Sequence, residues 1–173
     1  LFKIGEYVIY GTKGVCRVKD IAILDFKEIS EDGIFYVLEP VNIKNNQIYV
    51  PVNQDKVVLR KILSKKEALS IIDSVPDLEQ VEIPDEKNRE VKYKEVMETG
   101  DCKNLFRMIK TMNARQQKRM AEGRKITIVD DRYLKAAKEN LYGEFSIIFH
   151  KDKSEMEKLI TDRIEETKDS HYQ

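Results

Sequence analysis

The chain reads as an α+β protein: a small, strongly bent antiparallel sheet or barrel over residues 1–63, then an all-α helical bundle over 64–173. Two observations predict this. Residues 1–63 carry short β-branched and aromatic runs separated by tight polar turns. After Ile62 the apolar residues recur at helical spacing instead, and they do so nearly to the end of the chain.

In the first segment, "EYVIY" (6–10) is followed by the turn "GTKG" and then by "VCRVKDIAIL" (15–24), a strand, glycine turn, strand signature. Further strands are expected at "IFYVLEP" (34–40) and "QIYVPV" (47–52), set off by "SEDG" and "KNNQ". Four or five such strands without a long helix make a small bent sheet. Pro51 places its strand at an edge, because proline has no N–H to give a ladder.

The helical segment opens at "SKKEALSIID" (64–73), where Ser64 and Glu67 have the spacing of a capping box. "SVPDLEQVEIPDE" (74–86), with two prolines and several acids, is expected to be an irregular, linker-like crossing. Helices are then predicted at about 87–99, 102–122, 129–143 with an extension toward 149, and 153–167. Asp101 is expected to cap the second of these, with Gly123 at its end, and Asp130 is expected to cap the third.

Length and composition narrow the class. With 173 residues, 36% charged and 41% hydrophobic, the chain suits one domain or two small ones and is expected to be globular and cytoplasmic. No apolar run approaches a membrane span of roughly 20 residues, and Leu1–Tyr10 is interrupted by Lys3 and Glu6, unlike a secretion signal. Cys16 and Cys102 stand far apart with no nearby histidines, so buried free thiols are expected and no metal site.

No catalytic constellation is expected either. "GTKG" (11–14) precedes a strand, whereas phosphate-binding glycine loops precede a helix. His150 and His171 lack a nucleophile with an orienting acid, and the acid pairs Asp130/Asp131 and Glu165/Glu166 suit a solvated surface. A non-enzymatic protein without cofactors is the reading.

Charge is the informative feature. Formal net charge is zero, yet residues 102–125 hold eight basic side chains and one acid, Glu122, between acidic flanks. On a helical wheel Leu105, Ile109, Met112 and Met120 share an inward face with Gln116 between them. Lys103, Arg107, Lys110 and Lys118 lie opposite, with Arg115 and Arg119 at the flank and Arg124 and Lys125 beyond the helix end. A surface kept merely solvated mixes its signs, so two partners are open for these cations: nucleic-acid phosphates, or the chain's own Glu90, Glu95, Glu98, Asp130 and Asp131. No pattern for base-specific reading accompanies them.

The segments "FKIGEYVIYGTKGVCRVKDI" (2–21), "YVPV" (49–52), "REVKYKEVMETGD" (89–101) and "DDRYLKAAKENLYGEF" (130–145), in this order and spacing, resemble the CarD family, also called CdnL, whose N-terminal module is shared with the transcription-repair coupling factor. The resemblance covers about residues 1–150. It implies a Tudor-like N-terminal sheet that docks on the β subunit of bacterial RNA polymerase, and a helical domain that touches promoter DNA upstream of the melted region without reading its sequence. The implied polymerase contacts are Leu24 and Phe26 on the second strand and Ile48, Tyr49, Val50 and Pro51. The implied DNA contacts are Arg89, Lys92 and Lys94 with Lys103, Arg107, Lys110, Arg115, Lys118, Arg119, Arg124 and Lys125. Many family members wedge a tryptophan into the minor groove; this chain has none, and Ile83 and Pro84 are the apolar residues where the resemblance would place it. A monomer is expected, with exchange of elements into a dimer as the other outcome. A protein interaction module without DNA contact is the alternative function.

Overall fold

The computed structural model describes residues 1–26 and 28–171, with side-chain placement through residue 163. The chain divides into two compact units between Ile62 and Leu63.

The first unit is one antiparallel sheet of β1 (Tyr7–Tyr10), β2 (Val15–Ile23), β3 (Ile34–Pro40), β4 (Ile48–Pro51) and β5 (Leu59–Lys61), in the order β4-β3-β2-β1-β5. Its α+β class, sheet first and helices after, is the one predicted. Alternation along the strands sends Val8, Cys16, Val18, Tyr36, Leu38 and Val50 to one buried face. An irregularity between Val18 and Asp20 puts one extra residue into β2, the kind of insertion that bends a strand and raises its twist. Phe2 closes over this core: its ring lies 5.5 Å from that of Tyr36, and its N–H donates to the Tyr36 hydroxyl at 3.0 Å.

β2 ends sooner than expected. The Leu24 N–H turns to the Gly33 carbonyl at 2.8 Å, so Leu24 and Phe26 lie in the β2–β3 turn and not on the second strand. Gly33 makes this turn possible: its φ is +66°, and a Cβ there would stand 2.8 Å from the Leu24 oxygen.

The second unit comprises α1 (Lys65–Ser74), α2 (Arg89–Glu98), α3 (Cys102–Ala121), α4 (Ile128–Phe149) and α5 (Lys153–His171) among the described residues. The starts of α1, α3 and α4 are each capped by a side chain. Ser64 and Glu67 form the expected capping box, and Asp101 accepts from the Asn104 N–H at 2.9 Å. The α4 cap is Thr127 and not Asp130: the Thr127 hydroxyl accepts from the Asp130 N–H at 3.1 Å, which leaves the Asp130 side chain to other partners.

α4 supplies the spine of the bundle, with Leu134, Ala137, Leu141 and Phe145 buried at i, i+3, i+7 and i+11. Phe106, Phe145 and Phe149 stack in sequence, their centroids 6.0 and 6.1 Å apart. Glu144 is buried beside them but has partners, accepting from the Leu63 N–H at 3.0 Å and from the Cys102 thiol at 3.1 Å. Both cysteines are buried, and burial pushes the Cys16 thiol up to about 11. No described helix is long and apolar enough to cross a membrane.

The inward face of α3 is wider and shorter than the wheel suggests. Leu105, Phe106, Met108, Ile109 and Met112 are all buried, but no residue of α3 from Asn113 onward is, and Met120 is 64% exposed. Met120 is therefore not a core residue: the core ends at Met112, two turns before the helix does.

Candidate functional site

The sheet unit leaves β4 as a free edge, as Pro51 indicated. The β3–β4 register pairs Tyr36 with Val50 and Leu38 with Ile48, and the Val52 N–H donates to the Ile34 carbonyl at 3.0 Å. Residues 48, 50 and 52 thus carry the ladder, so the Tyr49 N–H and the carbonyls of Tyr49 and Pro51 point outward, where another strand could meet them.

The six residues implied as polymerase contacts fall into two groups. Val50 is 1% exposed and belongs to the core, and Ile48 packs half-buried against that core, so Val50 offers no side chain to a partner. Tyr49 is 51% exposed on the opposite face, in register with Val37, and Pro51 follows on the same face in register with Phe35. Phe26, also exposed, sets its ring edge-on to Phe35 with centroids 6.2 Å apart. Leu24 is half-buried in the turn. Tyr49, Pro51 and Phe26 therefore stand on one apolar face beside an unpaired strand edge.

The basic helix faces the chain itself more than the wheel suggests. Lys110 does not join an outward stripe: its ammonium donates to the carbonyls of Leu78, Pro76 and Val75 at 2.7, 3.0 and 3.4 Å. Arg107 likewise donates to the carbonyls of Glu79 and Gln80 at 3.0 and 3.4 Å. The Thr111 hydroxyl accepts from the Val81 N–H at 2.8 Å. The physical reason is the irregular crossing: among the described residues the carbonyls of Pro76, Leu78, Glu79 and Gln80 have no helix or ladder partner and must be satisfied by something. α3 supplies the donors. Lys110→Met is expected to lower the unfolding free energy by about 1–2 kcal/mol, read as an earlier urea midpoint, because three carbonyls lose a charged donor.

The same crossing carries Ile83 and Pro84. Ile83 is half-buried against the helical core and is held there, while Pro84 is exposed.

At the other end of the crossing the cations meet acids. Asp130, 1% exposed, accepts from the Tyr93 hydroxyl at 3.0 Å, from Arg89 at 3.2 Å and from Arg115 at 3.4 Å. Arg115 also grips Glu86 through both terminal nitrogens, at 2.6 and 2.9 Å. Burial alone would raise the Asp130 carboxyl, but the Tyr93 hydrogen bond, the Arg115 charge and the Arg89 hydrogen bond outweigh it and hold it below its usual range. Burial, with the Asp130 charge beside it, pushes the Tyr93 phenol well above its ordinary value. The sequence marks Asp130 as one of the acids open to these cations. It gives no sign of Tyr93, whose hydroxyl completes the cluster.

The remaining cations divide by partner. Lys92 pairs with Glu95, Lys94 reaches Glu98 at 4.0 Å, Arg124 pairs with Glu122, and Arg119 donates to the Lys125 carbonyl at 2.7 Å. Lys103, Lys118 and Lys125 are exposed and form no ion pair among the described residues.

Comparison with known proteins reaches the first unit. No curated protein matches the chain. Residues 2–63 match the family model described as the CarD-like/TRCF RID domain, a domain that interacts with the β subunit of RNA polymerase. The match ends where the sheet unit ends and covers the strands that build the free β4 edge. The N-terminal unit, residues 2–63, thus bears a likeness to the CarD-like/TRCF RID domain family.

Proposed function

We propose that the chain is a non-enzymatic transcription regulator that docks on the RNA polymerase β subunit through the β4 edge and contacts upstream promoter DNA through its helical unit, modulating open-complex formation. The observation that carries the docking is the free edge itself, one outward N–H and two outward carbonyls beside exposed Tyr49 and Phe26. The DNA contact rests on the excess of cations from Lys103 to Lys125, and above all on the unpaired Lys103, Lys118 and Lys125. They suit phosphate contact, which attracts any sequence and selects none.

A reading without DNA has one observation in its favour. Arg89, Lys92, Lys94, Arg107, Lys110, Arg115, Arg119 and Arg124 already have partners within the chain. Titration of a promoter fragment with polymerase, with and without the protein and at two salt concentrations, separates the two. Replacing Lys103, Lys118 and Lys125 with Gln should reduce the slope of log affinity against log salt by about one for each phosphate that is no longer neutralised. A slope unmoved by all three replacements sinks the DNA contact and leaves polymerase docking standing.

A further inference from the structure

Where α3 ends, Arg115, Lys118, Arg119 and Arg124 line a pocket of about 280 Å³ into which one acid, Glu86, projects. Its charges are unequal in how firmly they are held. Arg115 is fixed from behind by buried Asp130. Glu86, by contrast, has a side chain 66% exposed, and it rises from a three-residue turn, Glu86–Asn88, whose backbone is tied separately through the Arg89 bond to the Glu86 carbonyl at 3.0 Å. Its carboxylate can swing out of the pocket without any movement of the backbone.

The geometry of the pair points to the ligand. A guanidinium that grips two carboxylate oxygens with parallel N–H bonds presents the fork that also grips two phosphoryl oxygens. Beside that fork stand the unpaired Lys118 ammonium and the Arg119 guanidinium, of which only Nε is used, on the Lys125 carbonyl. Arg124 is occupied by Glu122. The Arg115 hydrogen bond also holds the Glu86 carboxyl below its usual range, so the resident group is an anion at neutral pH.

We propose that this pocket is a phosphate-binding site, built on Arg115, Lys118 and Arg119, in which the chain's own Glu86 carboxylate stands in for the phosphate and must be displaced by it. The site deepens the DNA-contact part of the proposed function and does not depend on polymerase docking. In the free protein Glu86 acts as an internal competitor that keeps the affinity low.

The experiment titrates the full chain with inorganic pyrophosphate and follows backbone amide shifts at 115–125. Glu86→Gln should tighten binding about two- to fivefold, the worth of one exposed ion pair. Lys118→Gln with Arg119→Gln, added to that background, should weaken it at least as much. Pyrophosphate binding that Glu86→Gln leaves unchanged overturns the competitor, and binding indifferent to Lys118→Gln and Arg119→Gln overturns the pocket. A short DNA duplex is then added as a competitor. Displacement of pyrophosphate identifies the ligand as nucleic-acid backbone. If pyrophosphate stays bound, the pocket stands as a site for a free phosphate compound, and it is the DNA contact at this point that fails.

Discussion

Replacing Asp130 with Asn should destabilise the helical unit by about 3 kcal/mol, because breaking a buried ion pair leaves its partners uncompensated. The effect falls toward the lower end of that class because Arg89 and Arg115, unlike Asp130, keep about a fifth of their side-chain surface in water. The pH dependence distinguishes lost charge from lost packing. The folded-state carboxyl lies below its ordinary value of about 3.9. Its stabilisation is therefore complete above about pH 4 and is lost as pH falls through the folded-state value. The two proteins should differ most at neutral pH and converge in acid, as urea unfolding at a series of pH values would show. A difference that persists undiminished at the lowest pH would assign the loss to packing.

The second large effect belongs to the other unit. Tyr49→Glu should weaken binding to the polymerase β subunit by tenfold or more while leaving the thermal midpoint of the free protein nearly unchanged, because an exposed aromatic anchor carries binding energy but little folding energy. Val50→Ala should do the reverse at the start: two methyl groups leave a closed core, at a cost of about 1–3 kcal/mol, and docking fails only insofar as folding does. Binding measured in the cold, below both unfolding transitions, separates these. Equal binding by Tyr49→Glu and the parent would remove β4 from the interface.

Much of the fold was legible from local signals. Pro51 announced an edge because the missing N–H is a property of the residue, wherever it sits. Ser64, Glu67 and Asp101 announced helix starts because capping is settled within one turn. Failures came where the deciding partner lies far along the chain. Asp130 stands three residues after Thr127, and spacing does not say which of the two will cap; the answer came from Arg89 and Arg115, 41 and 15 positions away, which give the buried carboxylate its reason to point inward. The helical wheel gave directions of side chains about one axis. It could not know that backbone carbonyls of 75–80 lie along the side where Arg107 and Lys110 project. Tyr49 and Val50 are neighbours in sequence, and only the ladder to β3 assigns one to solvent and the other to the core.

Pro51 has a consequence for the company that β4 keeps. Two copies of β4 laid edge to edge would each bring a single outward N–H, from Tyr49, to a partner strand equally poor in donors. Such a pair gains at most two hydrogen bonds, each about 1 kcal/mol net. That is too little to hold two molecules together. A foreign strand with a full set of N–H groups can instead address both the Tyr49 and the Pro51 carbonyls. The proline thus makes this edge a poor match for itself and a better one for a strand rich in N–H groups.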